Sequence, residues 1–154
     1  MKFYCAVRVA FQLTFVLVSY PVVAQSLFAP VGVENPQRAW QHWTLNCQGC
    51  HLPTGLGSVG GAPNLSRVAQ FLWVPGGREY LARVPGVAAS PLGDADLAEV
   101  LNWMLWRFDK EHMRANFRGY TAAELQPLRR RPLRMEASTT RTELLKQIEA
   151  HPAL

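Results

Sequence analysis

Two cysteines and a histidine within five residues, Cys47-Gln48-Gly49-Cys50-His51, constrain this chain more than any other feature it carries. Thiols three residues apart fall on one face of a helical turn, so both can reach a single bound group. An imidazole follows immediately and sets a metal-ligating nitrogen beside two nucleophilic sulfurs. The 154 residues contain only one further cysteine, Cys5. Three cysteines are too few for a disulfide scaffold. The length allows one domain, and a 49% hydrophobic composition with five Trp supplies a packed core and excludes a disordered chain.

A Cys-x-x-Cys-His run is the attachment signature of haem c. The two thiols bond the two vinyl groups of one porphyrin, and the histidine becomes the proximal axial ligand of the iron. Three other chemistries use a cysteine pair. A thioredoxin-like redox pair expects a βαβ pattern nearby, and none is visible. Half of a zinc site expects a second cysteine pair or paired histidines, whereas His42, His112 and His151 are scattered. A plain disulfide is the default for two cysteines in an exported chain.

Export is the expectation for residues 1–24. Lys2 and Arg8 form a positive start, Val9 to Val18 is apolar apart from Gln12 and Thr14, and Pro21 precedes the small residue Ala24. The apolar run is shorter than the ~20 residues a membrane span needs, which favours a cleaved, periplasm-directing signal over a retained anchor. Cys5 leaves with it. The remaining chain has 14 basic and 11 acidic residues, a net charge of +3, and only the Cys47–Cys50 pair.

The surroundings of that pair resemble the class I c-type cytochromes. Asn35-Pro36 reads as a helix start that leads through Trp40 and Trp43 into the motif. The family has an aromatic residue four before the first cysteine, here Trp43, then Cys-x-x-Cys-His, then a loop of the type found here as Gly61-Ala62-Pro63-Asn64-Leu65. The resemblance covers residues 35–108. It implies a small all-α domain over residues 34–120, wrapped around one covalently attached haem. Cys47, Cys50, His51 and Pro63 would bind the cofactor, with His51 on the iron. The Pro63 carbonyl would accept a hydrogen bond from His51 Nδ1, which fixes the ring tautomer and raises ligand basicity. It further implies a single-electron carrier between redox proteins, with an exported dehydrogenase as donor and another cytochrome or an oxidase as acceptor, and no catalytic residues of its own.

Ala95–Phe108 has apolar residues at helical spacing and resembles the family's C-terminal helix, whose aromatic Trp103 would meet Trp40 or Trp43. In one respect the chain departs from the family. The loop before this helix, Val84 to Pro91, holds neither Met nor His, although the sixth iron ligand usually lies there. Met104, Met113 and His112 remain as ligand candidates, beside an open sixth position. An open iron would suit a haem enzyme or small-ligand sensor, the alternative to an electron carrier.

Charge is uneven along the chain. Residues 25–120 carry eight basic and seven acidic groups, while residues 121–154 carry six and four, dominated by Arg129, Arg130, Arg131 and Arg134. This basic C-terminal extension reads as a docking patch for an acidic partner or an anionic membrane surface, or as a solvated tail. Nothing in the pattern points to nucleic acid. Arg78 and Arg83 are candidates to pair with haem propionates.

Overall fold

The computed structural model describes residues 30–150. The expected export signal, residues 1–24, lies outside the described residues. Within them the protein is all-α, as the sequence implies, with a cytochrome c-like arrangement of helices and no strand.

Helix α1 spans Pro36–Asn46 and starts as the sequence indicates. The Asn35 side chain accepts from Arg38 N at 3.0 Å, and Pro36 occupies the first turn, where its missing N–H costs nothing. A single turn, α2 (Gln48–His51), follows and carries the cysteine motif. After a glycine-rich loop comes a 3₁₀ segment, Val68–Trp73, then α3 (Gly77–Arg83) and α4 (Pro85–Ala88). Pro85 closes α3 but also opens α4, because φ near −65° suits the first turn of a helix.

The longest helix, α5, runs over Asp94–Asp109, one residue beyond the expected range at each end. Leu97, Val100, Leu101, Met104 and Leu105 recur at spacings of three and four, and all are buried. α1 crosses α5, and Ala39 and Trp43 of α1 are buried. Buried Glu99 of α5 ties the crossing together, accepting from Glu34 N at 2.9 Å, Asn35 N at 2.7 Å and Arg38 Nε at 2.9 Å. The carboxylate thus satisfies backbone N–H groups that the start of α1 leaves without helical partners.

Residues 121–150 form α6 (Ala122–Arg129) and α7 (Ala137–Ala150). Thr121 caps α6 through its hydroxyl to Glu124 N at 3.2 Å. Pro127 does not end this helix: it sits on an exposed face, where the unpaired carbonyl one turn back meets water. Leu125, Leu133, Leu144 and Ile148 belong to the same core as α1 and α5. At roughly 2–3 kcal/mol for each large apolar side chain removed from water, this burial holds both helices against the domain. Asn102, fully buried in α5, adds a polar staple. Its amide donates to Gly32 O at 3.0 Å and Tyr120 O at 3.1 Å, and it accepts from Tyr120 N at 2.7 Å.

The arginine cluster therefore divides. Arg129 is consumed internally, with its guanidinium donating to the carbonyls of Leu92 and Ser90 and to Asp94, whereas Arg130, Arg131 and Arg134 remain more open to solvent. Arg78 is also committed elsewhere. It pairs with Glu124, donates to Arg118 O and Gly119 O and lies over the Tyr120 ring, which leaves no fork for a propionate. Arg83 donates to Arg131 O at 2.7 Å. Among the described residues no helix is long and apolar enough to cross a membrane.

Candidate functional site

The site is built on a sharp change of direction. α1 ends at Asn46, and Cys47 serves as both its C-cap and the N-cap of α2. His51 closes that turn, and Leu52 follows with φ 63° and ψ 162°. An L-residue with a bulky side chain in this region stores on the order of 1–3 kcal/mol of strain, a cost concentrated at functional sites. Leu52 is the one non-glycine residue with positive φ among those described.

The loop after the turn folds back on His51. Gly57 N donates to His51 O at 3.0 Å, Ser58 N to Ala62 O at 3.1 Å, and Leu65 N to Gly55 O at 2.8 Å. This cradle brings Pro63 to the imidazole, with His51 Nδ1 at 3.0 Å from the Pro63 carbonyl oxygen. A carbonyl only accepts, so Nδ1 carries the proton and Nε2 presents a lone pair. Burial lowers the His51 pKa, and the Pro63 carbonyl partly offsets that. The ring is therefore poised as a neutral ligand.

Behind the imidazole stands an aromatic wall. The Trp43 ring centroid lies 5.8 Å from His51, 6.0 Å from Trp103 and 4.8 Å from Phe108. Trp43 is the partner Trp103 finds; Trp40 is largely exposed on the other side of α1. Phe108 is legible in the sequence only as one more apolar position of α5. It also fills the space beside Gly55, where an added Cβ would come within 2.7 Å of its ring. That requirement shows in the sequence only as four glycines between 55 and 61.

Cys47 and Cys50 are free thiols, Cys47 half-buried and Cys50 exposed. Burial, reinforced by Cys50, pushes the Cys47 thiol up to about 11. Among the described residues no three His, Cys, Asp or Glu side chains converge as a metal would require, which disfavours a zinc site of the expected kind. The absence of strands there likewise removes the βαβ setting of a thioredoxin-like pair.

Of the sixth-ligand candidates, Met104 lies buried in the core and Met113 is half-buried against it. His112 engages buried Asp109 through Nδ1.

Comparison with known proteins identifies the family. Two proteins named cytochrome c-552, one from Thermus thermophilus and one from a particular strain of that species, are each 33% identical to the chain over 106 residues. The matches cover 56% of this chain, and 81% and 72% of the two relatives respectively. The chain belongs to the c-type cytochromes. No protein-family model matches it, and no solved structure does.

A c-type cytochrome needs two thiols on one side of a turn, an axial imidazole with a free Nε2 and an apolar seat. The residues present fit that group: the thiols are unpaired, the ring is held by its other nitrogen, and Leu52 and Leu56 expose apolar surface in the loop leaving His51.

Proposed function

We propose that this protein is an exported, mono-haem class I cytochrome that carries single electrons between redox proteins. The observation that carries the reading is the His51–Pro63 contact, because it orients a neutral imidazole one residue after a Cys-x-x-Cys pair. When bound, the haem supplies an iron that alternates between Fe(III) and Fe(II), with a potential set by ligation and burial.

The chain's own residues have three tasks in this reading. Cys47 and Cys50 hold the porphyrin covalently, so it survives outside the cytoplasm. His51 takes the proximal position, and the Pro63 carbonyl fixes its tautomer. Trp43, Trp103 and Phe108 exclude water behind the ring. A dehydrogenase upstream and a cytochrome or oxidase downstream are the partners this chemistry calls for, and Arg130, Arg131 and Arg134 offer cationic contacts to an acidic one.

One observation favours a second reading, a haem protein that binds small ligands at an open sixth position. The loop before α5 has no ligating side chain, and Arg129 ties it down. A fixed loop without a donor cannot swing one onto the iron.

Expression of the full chain in a host with haem c maturation tests both readings. One haem that resists acid–acetone extraction and gives a c-type pyridine haemochrome is the expected result, and His51→Ala should abolish the normal reduced spectrum. Protein without covalent haem sinks both readings. High-spin ferrous iron that takes up CO readily decides for the second.

A further inference from the structure

Away from the cysteine motif, a half-open groove of about 210 Å³ runs between the 3₁₀ segment Val68–Trp73 and α7. Its walls contribute one arginine each, Arg67 and Arg141, and neither forms an ion pair among the described residues. Asp109, which Arg67 influences, is already committed: its carboxylate accepts from Ala69 N at 2.7 Å and from His112. Arg141 lies over the Phe71 ring at 5.2 Å, which holds the guanidinium at the groove without satisfying its N–H groups.

The floor is apolar, since Phe71 and Ile148 are both buried. One polar group interrupts it. Gln70 is 5% exposed, lines the groove and makes no side-chain hydrogen bond among the described residues. Its amide keeps access to solvent through the groove, where it can donate to a bound group. Glu149 at the rim sets the charge balance: two arginines against one carboxylate leave one net positive charge.

We propose that this groove binds a small monocarboxylate with an apolar body. The carboxylate takes the two guanidinium groups and the Gln70 amide, and the body lies on Phe71 and Ile148. A single net charge suits a monoanion better than a dianion, and Glu149 repels the second charge of phosphate. At about 30 Å³ of liquid volume per water, the groove displaces roughly seven waters, room for one ring and its carboxylate. The site shares no residue with the haem attachment motif, and it does not depend on the electron-transfer reading.

Calorimetric titration of the haem-loaded protein tests this, with benzoate as the probe and inorganic phosphate and benzylamine as comparators. Benzoate should bind one per chain, at least about tenfold more tightly than phosphate, and benzylamine should not bind. Arg67→Gln, Arg141→Gln and Gln70→Leu should each weaken benzoate at least about fivefold, with the circular dichroism and haem spectrum of the parent retained. Phosphate binding as tight as benzoate, binding unchanged in both arginine variants, or no saturable benzoate binding would each overturn the proposal.

Discussion

Arg129 Nη1 lies 2.7 Å from the carbonyl oxygen of Leu92. The same guanidinium reaches Asp94 Oδ1 at 3.0 Å, Ala88 O at 3.4 Å and Ser90 O, so one side chain of α6 straps the loop leading into α5. Backbone carbonyls in a loop have no helical donor, and a planar fork satisfies several at once. Arg129→Leu should therefore destabilise the protein by about 3 kcal/mol, read from the urea midpoint, and open residues 84–93 to proteolysis. Arg129→Lys should recover less than half of the loss, because an ammonium on a flexible stem cannot span the same carbonyls. Unchanged proteolysis in Arg129→Leu would show that the loop is held by its own packing.

The contrast between Asn35 and Arg129 shows what could be read in advance. Asn35 and Thr121 cap N–H groups three residues on, Pro36 fits the first helical turn, and the α5 stripe repeats at a fixed period, so local sequence displays them. The cysteine motif is likewise local, and Pro63 stands at a recognisable distance from it. Arg129 instead finds its partners 35 to 41 positions earlier in the chain. In the sequence it is only one of three consecutive arginines. Arg78 with Glu124, Glu99 with Asn35 and Asn102 with Tyr120 are long-range pairs of the same kind, and nothing in the composition distinguishes them from surface polar residues. The strained Leu52 had no signal at all, since leucine is not a residue that announces positive φ.

Glycines 57 and 60 share nearly the same φ, 68° and 71°, but differ in their surroundings. A Cβ at Gly57 would stand 2.0 Å from the Ala62 carbonyl oxygen and 2.9 Å from that of Pro63, whereas one at Gly60 meets nothing within 4 Å. Gly60→Ala should cost only the left-handed backbone penalty, about 1–2 kcal/mol. Gly57→Ala adds a backbone clash that must move the Pro63 segment. It should cost at least about 3 kcal/mol and also shift the reduction potential of the haem-loaded protein, which Gly60→Ala should leave in place. Equal melting temperatures for the two variants would contradict this account.

The two thiols should differ in reactivity before haem is attached. With its pKa at about 11, Cys47 is only about one part in a thousand thiolate at pH 8, and it is half-buried, while Cys50 is exposed. Iodoacetamide added to the reduced, haem-free chain should therefore label Cys50 first, by at least about tenfold in rate, as read by peptide mass spectrometry. Raising the pH towards 11 should narrow the difference. Faster labelling at Cys47 would mean that the haem-free motif is more open than the folded geometry describes.

Asp109 gives the stability a pH dependence of unusual sign. Its side chain is nearly fully buried, and burial raises its pKa above the ordinary 3.8, although hydrogen bonds from His112 and Ala69 N pull it back. The folded protein thus holds this proton more tightly than the unfolded chain. Between 3.8 and the raised value the native state binds more protons, so stability attributable to Asp109 falls as pH rises through that window. A carboxylate whose folded pKa is depressed would do the opposite. Asp109→Asn keeps an acceptor for Ala69 N but cannot ionise, so the variant should lose this component. The stability difference between variant and parent, measured by urea unfolding from about pH 3.5 to 6, should move in favour of the variant as pH rises. Asp109→Ala strands the Ala69 N–H and should be about 1–3 kcal/mol less stable than Asp109→Asn throughout. A parent and an Asn variant with parallel pH profiles would place the Asp109 pKa at its ordinary value.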